Sequence, residues 1–169
     1  MRFVYLTCFV ALGVTAHAQT AVSATRDLVF PPVGLAFTET AQINVANTAS
    51  NPTNGSAASC TGTISFNNAT GASAQTPVKF TVTAGQIFST ELTAAKLGVV
   101  NGQRSEFIAS VQLTLTPKTP CTLSISLETF DATSGATHIY LQSPAGGPVT
   151  VMYPGGSTTL GRFSDVPRL

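Results

Sequence analysis

The stretch Cys121-Thr122-Leu123-Ser124-Ile125-Ser126-Leu127-Glu128 decides the fold class. Apolar and polar residues alternate along it with period two. In an extended chain Cys121, Leu123, Ile125 and Leu127 fall on one side, and the hydroxyls and Glu128 fall on the other. Such alternation means one buried face and one wet face, as in antiparallel sheets. The pattern returns in Cys60-Thr61-Gly62-Thr63-Ile64-Ser65-Phe66, whose even positions point inward, and around Ile43 and Val45. It returns again at Val78, Phe80 and Val82, at Phe88 and Leu92, at Val111, Leu113 and Leu115, and at Ile139 and Leu141. Turn formers separate the runs: Asn67-Asn68-Ala69-Thr70-Gly71, Ala84-Gly85 and Asp131-Ala132-Thr133-Ser134-Gly135. One helical turn is expected over residues 93–98, closed by Gly98. Together these runs predict an all-β chain, an immunoglobulin-like antiparallel β-sandwich of about 7–8 strands, with a barrel as the alternative. Trp is absent, so the Cys…Trp…Cys signature of a true immunoglobulin domain is not met.

The two cysteine-led runs echo each other. Cys60-x-x-x-Ile64-Ser65-Phe66 matches Cys121-x-x-x-Ile125-Ser126-Leu127. They are either strands in equivalent places of two sheets or two strands of like composition. Cys60 and Cys121 share the parity of the inward residues on their own runs, so both point between the sheets. A Cys60–Cys121 disulfide is predicted, closing a loop of about 60 residues and worth roughly 4 kcal/mol in the chain-entropy model. Two free buried thiols are the alternative.

Residues 1–18 have the form of a secretory signal peptide: Arg2, an apolar run from Phe3 to Val14, and an Ala16-His17-Ala18 cleavage site. The apolar run is shorter than the roughly 20 residues of a membrane-spanning helix. Cleavage there removes Cys8 and His17, leaving Cys60, Cys121 and a single histidine, His138. Two cysteines in an exported chain favour a disulfide over a metal site. Residues 19–29 read as an N-terminal segment, 30–142 as the sandwich, 48–59 as a long polar loop within it, and 143–169 as a Gly/Pro-rich extension. Val149-Thr150-Val151-Met152-Tyr153 in that extension could pair as an edge strand. The expected location is exported, periplasmic or extracellular, with no transmembrane segment after cleavage.

Of the 169 residues 43% are hydrophobic and 9% charged, and the formal net charge is +1. Eight Lys and Arg cannot neutralise a phosphate backbone, so a nucleic-acid partner is excluded. Catalytic arrangements are thin. A Ser-His-Asp relay needs His138, which alternation places opposite Ile139 and therefore outward. The chain has no G-x-S-x-G elbow and no phosphate-cradling glycine loop. The acids at Asp27, Glu39, Glu91, Glu106, Glu128, Asp131 and Asp165 are scattered. Glu128 and Asp131 flank a strand end, where a solvated turn is the better reading than a calcium site. No catalytic residue, metal ligand or cofactor is assigned, and the ligand-binding residues are left open. Asn54 and Asn68 fit the N-glycosylation pattern.

The run from Val33 to Asn47, the run Ser59-Cys60-Thr61-Gly62-Thr63-Ile64-Ser65-Phe66, and Ser126-Leu127-Glu128-Thr129-Phe130-Asp131 with Ser134-Gly135-Ala136-Thr137-His138 resemble a group of uncharacterised exported β-sandwich proteins of soil bacteria, chiefly acidobacteria. The likeness covers roughly residues 30–142. It implies an exported β-sandwich and carries no catalytic residue to transfer. The expectation is a non-enzymatic module with a structural, adhesive or binding role and a protein or glycan partner. The alternatives are a carbohydrate-binding module and a surface-assembly subunit whose extension pairs onto a neighbour's sheet edge.

Overall fold

Period-two burial sorts the chain into two facing sheets. The computed structural model describes residues 24–49, 59–115, 122–144, 150–153 and 156–159. The strands are β1 (Ala24–Val29), β2 (Val33–Ala36), β3 (Glu39–Asn47), β4 (Ser59–Asn68), β5 (Val78–Thr83), β6 (Ile87–Thr93), β7 (Arg104–Leu115), β8 (Leu123–Asp131), β9 (Thr137–Pro144), β10 (Thr150–Tyr153) and β11 (Gly156–Thr159). One sheet has the order β1-β7-β4-β5, with β2 also on β7. The other has the order β11-β10-β9-β8-β3-β6, and every pairing is antiparallel. This is the sandwich read from the alternation. Its strand segments outnumber the expected count because pairing continues outside the runs that alternate.

Two boundaries move. The strand at Ala24–Val29 pairs with β7, so the sandwich starts upstream of residue 30. Its other end passes residue 142, because β9 runs to Pro144 and β10 pairs with β9 in the chain's own sheet. Residues 1–23, residues 50–58 of the polar loop with Asn54, Cys121, Val149 and residues 160–169 lie outside the described residues.

The inward positions of both sheets form one core. Phe30, Leu35, Ile43, Val45, Ile64, Phe66, Leu92, Phe107, Val111, Ile125 and Leu127 are all fully buried in it. The Phe66 and Phe107 rings sit 6.0 Å apart at 51°, a tilted pair. Gly62 is buried in β4, and a Cβ there would lie 2.4 Å from the Gln112 carbonyl oxygen and 2.6 Å from the Phe80 ring. The Phe80 ring therefore occupies the volume a side chain on β4 would take. The helical turn forms as a 3-10 helix over Ala94–Leu97, and Gly98 follows it in the left-handed conformation.

β1 and β2 lie in line along β7, separated by Phe30-Pro31-Pro32, while the Phe30 amide still donates to the Ala109 carbonyl at 2.9 Å. Proline cannot donate to a ladder, so it is tolerated here on the outermost strand of the sheet among the described residues. No helix among the described residues is long and apolar enough to cross a membrane.

Candidate functional site

The outer faces of the two sheets are built differently. On the six-stranded sheet the register sets Glu91, Gln42, Glu128 and Tyr140 in one row across β6, β3, β8 and β9. Ser89, Asn44, Ser126 and Gln142 form the next row. Neighbouring strands are about 4.8 Å apart, so side chains within and between these rows meet. Gln42 Nε2 donates to Asn44 Oδ1 at 2.8 Å, and Ser89 Oγ donates to the same oxygen at 2.6 Å. Asn44 Nδ2 donates to Glu128 Oε1 at 3.0 Å, and Gln142 Nε2 donates to Ser124 Oγ at 3.1 Å. Over these groups runs a shallow groove of about 440 Å³, bounded by Tyr140 and by Ile87, which is 69% exposed.

The opposite face is smoother. Thr63, Ser65 and Ser110 cover it with short hydroxyls, and Gln112 Nε2 donates to Asp27 Oδ1 at 3.0 Å beside a depression of about 230 Å³. Sequence reading placed Gln42, Asn44 and Glu128 on the wet side of their runs and weighed Glu128 only with Asp131, as a solvated turn or a calcium site. The signal was present in the residue types, since amides and a carboxylate replace Ser and Thr at these positions. Seeing them as one group needs the register of strands far apart in sequence.

His138 is outward, as alternation requires, and its Nδ1 pairs with Glu39 Oε1. Glu39 Oε2 accepts the Ala36 amide at 2.7 Å. The pair thus ties β9 to the start of β3 across β8. Alternation alone does not reveal this partner, which lies 99 residues away. Asp131 and Glu128 do not converge. Glu128 belongs to the amide network, whereas Asp131 caps its own turn. Asp131 Oδ1 accepts the Ser134 amide at 2.8 Å, the Thr133 amide at 3.0 Å and the Ser134 hydroxyl at 3.0 Å. The Ser134 amide first, then the Thr38 and Ser134 hydroxyls, hold its carboxyl down at about 2. The solvated-turn reading of Asp131 is therefore the one the geometry supports. Among the described residues no three His, Cys, Asp or Glu side chains gather as a metal would require. At the other predicted turn Asn68 Oδ1 accepts the Thr70 amide at 3.1 Å, the Thr70 hydroxyl at 2.7 Å and the Ala72 amide at 3.0 Å.

Cys60 is 1% exposed. Beside it the buried Asn47 is a tie between sheets that the sequence did not single out. Its Nδ2 donates to the Val82 carbonyl at 3.2 Å and reaches Cys60 Sγ at 3.4 Å, and its Oδ1 accepts the Ala49 amide at 3.1 Å. Asn47 also pairs in register with Leu123, and the Thr48 amide donates to the Thr122 carbonyl at 2.8 Å. The start of β8 is thereby brought to the end of the sandwich that holds Cys60. Comparison of the chain with protein-family models, curated proteins and solved structures finds no match.

Proposed function

We propose that the chain is a non-enzymatic, exported β-sandwich module that binds through the outer face of its six-stranded sheet. One observation carries this reading. The Gln42–Asn44–Glu128 network, joined by Ser89, fixes polar side chains from three strands side by side over a groove. Holding such groups in place costs side-chain entropy that water-facing residues otherwise keep. Bound in advance, they lose less of it when a ligand arrives. The leader-like residues 1–18 and the resemblance to exported proteins of soil bacteria point to a location outside the cytoplasm.

In this reading Cys60 and Cys121 form the disulfide. Cys121 precedes Thr122, whose carbonyl Thr48 holds, and Thr48 follows the Asn47 that touches Cys60 Sγ. Intact mass of the purified protein, with and without reductant and alkylation, checks the bridge. The expected result is alkylation at both cysteines only after reduction. The non-enzymatic role is checked with a broad panel of hydrolase substrates. Turnover that Glu39→Gln or Glu128→Gln abolishes would overturn it.

A further inference from the structure

Resting on that binding role, we infer that the groove over Asn44, Glu128 and Tyr140 takes a neutral polyhydroxylated chain, an oligosaccharide segment. Four features of the groove select this class. It offers donors and acceptors in alternation. Asn44 and Gln42 are amides that do both, Ser126 and Tyr140 carry hydroxyls that do both, and Glu128 only accepts. A sugar chain presents hydroxyls with the same dual character along its length. A second feature is charge. The groove is lined by a carboxylate and by no Lys or Arg, so phosphorylated, sulfated or uronic-acid chains meet like charge without compensation. Glu128 is a single carboxylate among neutral amides and hydroxyls, so a cationic segment gains one ion pair here, whereas a chain of hydroxyls can meet every polar group in the lining.

The third feature is the backbone. β3 and β8 lie inside the sheet, paired on both sides, so an extended peptide finds no free main-chain ladder on this face. Recognition has to be by side chains. The fourth is preorganisation with spare capacity. Among the described residues Glu128 Oε2, Gln42 Oε1 and the Tyr140 hydroxyl make no hydrogen bond within the protein, although their neighbours are locked. Tyr140 adds an amphipathic ring at one margin, and Ile87 adds apolar surface at the other.

The test is affinity electrophoresis of the whole chain lacking residues 1–18, in gels containing hydroxyethylcellulose, xylan or galactomannan. Polygalacturonate and polylysine serve as charged probes. At least one neutral polysaccharide should retard the protein. Asn44→Ala and Tyr140→Ala should each raise the dissociation constant about tenfold, which corresponds to about 1.4 kcal/mol. Gln112→Ala, on the other sheet, should leave it unchanged. Melting temperatures identify a variant that has lost its fold, and two independent groove variants guard against that loss. Retardation by polylysine or polygalacturonate alone overturns the inference, as does no retardation at all. Retardation by a neutral polysaccharide that neither groove variant alters also overturns it. Release of reducing ends from a retarding polysaccharide keeps the groove as the binding site and overturns instead the non-enzymatic reading beneath it.

Discussion

β4 and β8 answer to the same pattern and solve it differently. Each is an interior strand, one in each sheet, and each turns inward on alternate residues. Each ends in a turn whose side-chain oxygen, Asn68 Oδ1 or Asp131 Oδ1, accepts three hydrogen bonds from the residues that follow. The differences sit at single positions. β4 gives up a side chain at Gly62 and lets Phe80 fill the space. β8 keeps a full side chain at Thr129, but its hydroxyl is buried without a partner. On the wet side β4 shows Thr61, Thr63 and Ser65, while β8 shows Ser126 and Glu128 beneath the amide network. Alternation chooses which way a strand faces; the residue at each position then decides how that face packs and which polar groups it presents.

The largest way to break the parallel is at its cysteines. Cys60→Ser should lower unfolding free energy by about 4 kcal/mol, the chain-entropy value for a loop of this length. Urea unfolding of the oxidised and reduced wild type would show the same gap, and equal midpoints would dissolve the pairing with Cys121. Next comes Gly62→Ala, expected to cost about 3 kcal/mol, because the new carbon meets a backbone oxygen and a ring that cannot both retreat. The neighbouring Thr63→Ala, on the half-exposed side, should stay within about 0.5 kcal/mol. Comparable losses at the two positions would refute the packing account.

Thr129→Val should raise stability by about 1 kcal/mol, since it removes an unpaired buried hydroxyl at nearly constant shape. A loss measured by the same urea titration would mean that the hydroxyl has a partner after all. The smallest effect separates the two turns. Asp131 titrates at 3.8 in an unfolded reference and at about 2 in the fold. Its contribution is therefore full above 3.8 and disappears as pH falls through 2. Asp131→Asn should flatten the stability profile between pH 4 and pH 2, whereas Asn68→Ala should leave its shape intact. Thermal melts across that window check both.

Much of this was legible in advance, and the reason is local. Inward residues such as Cys60, Ile64, Phe66, Ile125 and Leu127 are set by parity within one strand, so a single strand suffices to read them. The turns at Asn68 and Asp131 were legible because their capping bonds span only a few residues. β1 was not, since Thr25, Arg26 and Asp27 interrupt the apolar pattern and the strand is held by its ladder with β7. The groove was not legible either. Asn44 meets Glu128 across 84 residues, and only the register β6-β3-β8-β9 makes neighbours of them.

The Pro31-Pro32 break has a consequence for how copies of this module tolerate one another. A neighbouring strand that tried to add along the outer side of β1 and β2 would find a ladder of six residues, then Phe30, whose amide is taken by Ala109, and two prolines with no amide hydrogen, then four residues more. Neither fragment matches the full length of β7, which carries both. The interruption shortens the ladder that this edge offers to a neighbouring strand. Together with the charged Arg26 and Asp27 on β1, the prolines make this edge a poor template for pairing with another copy.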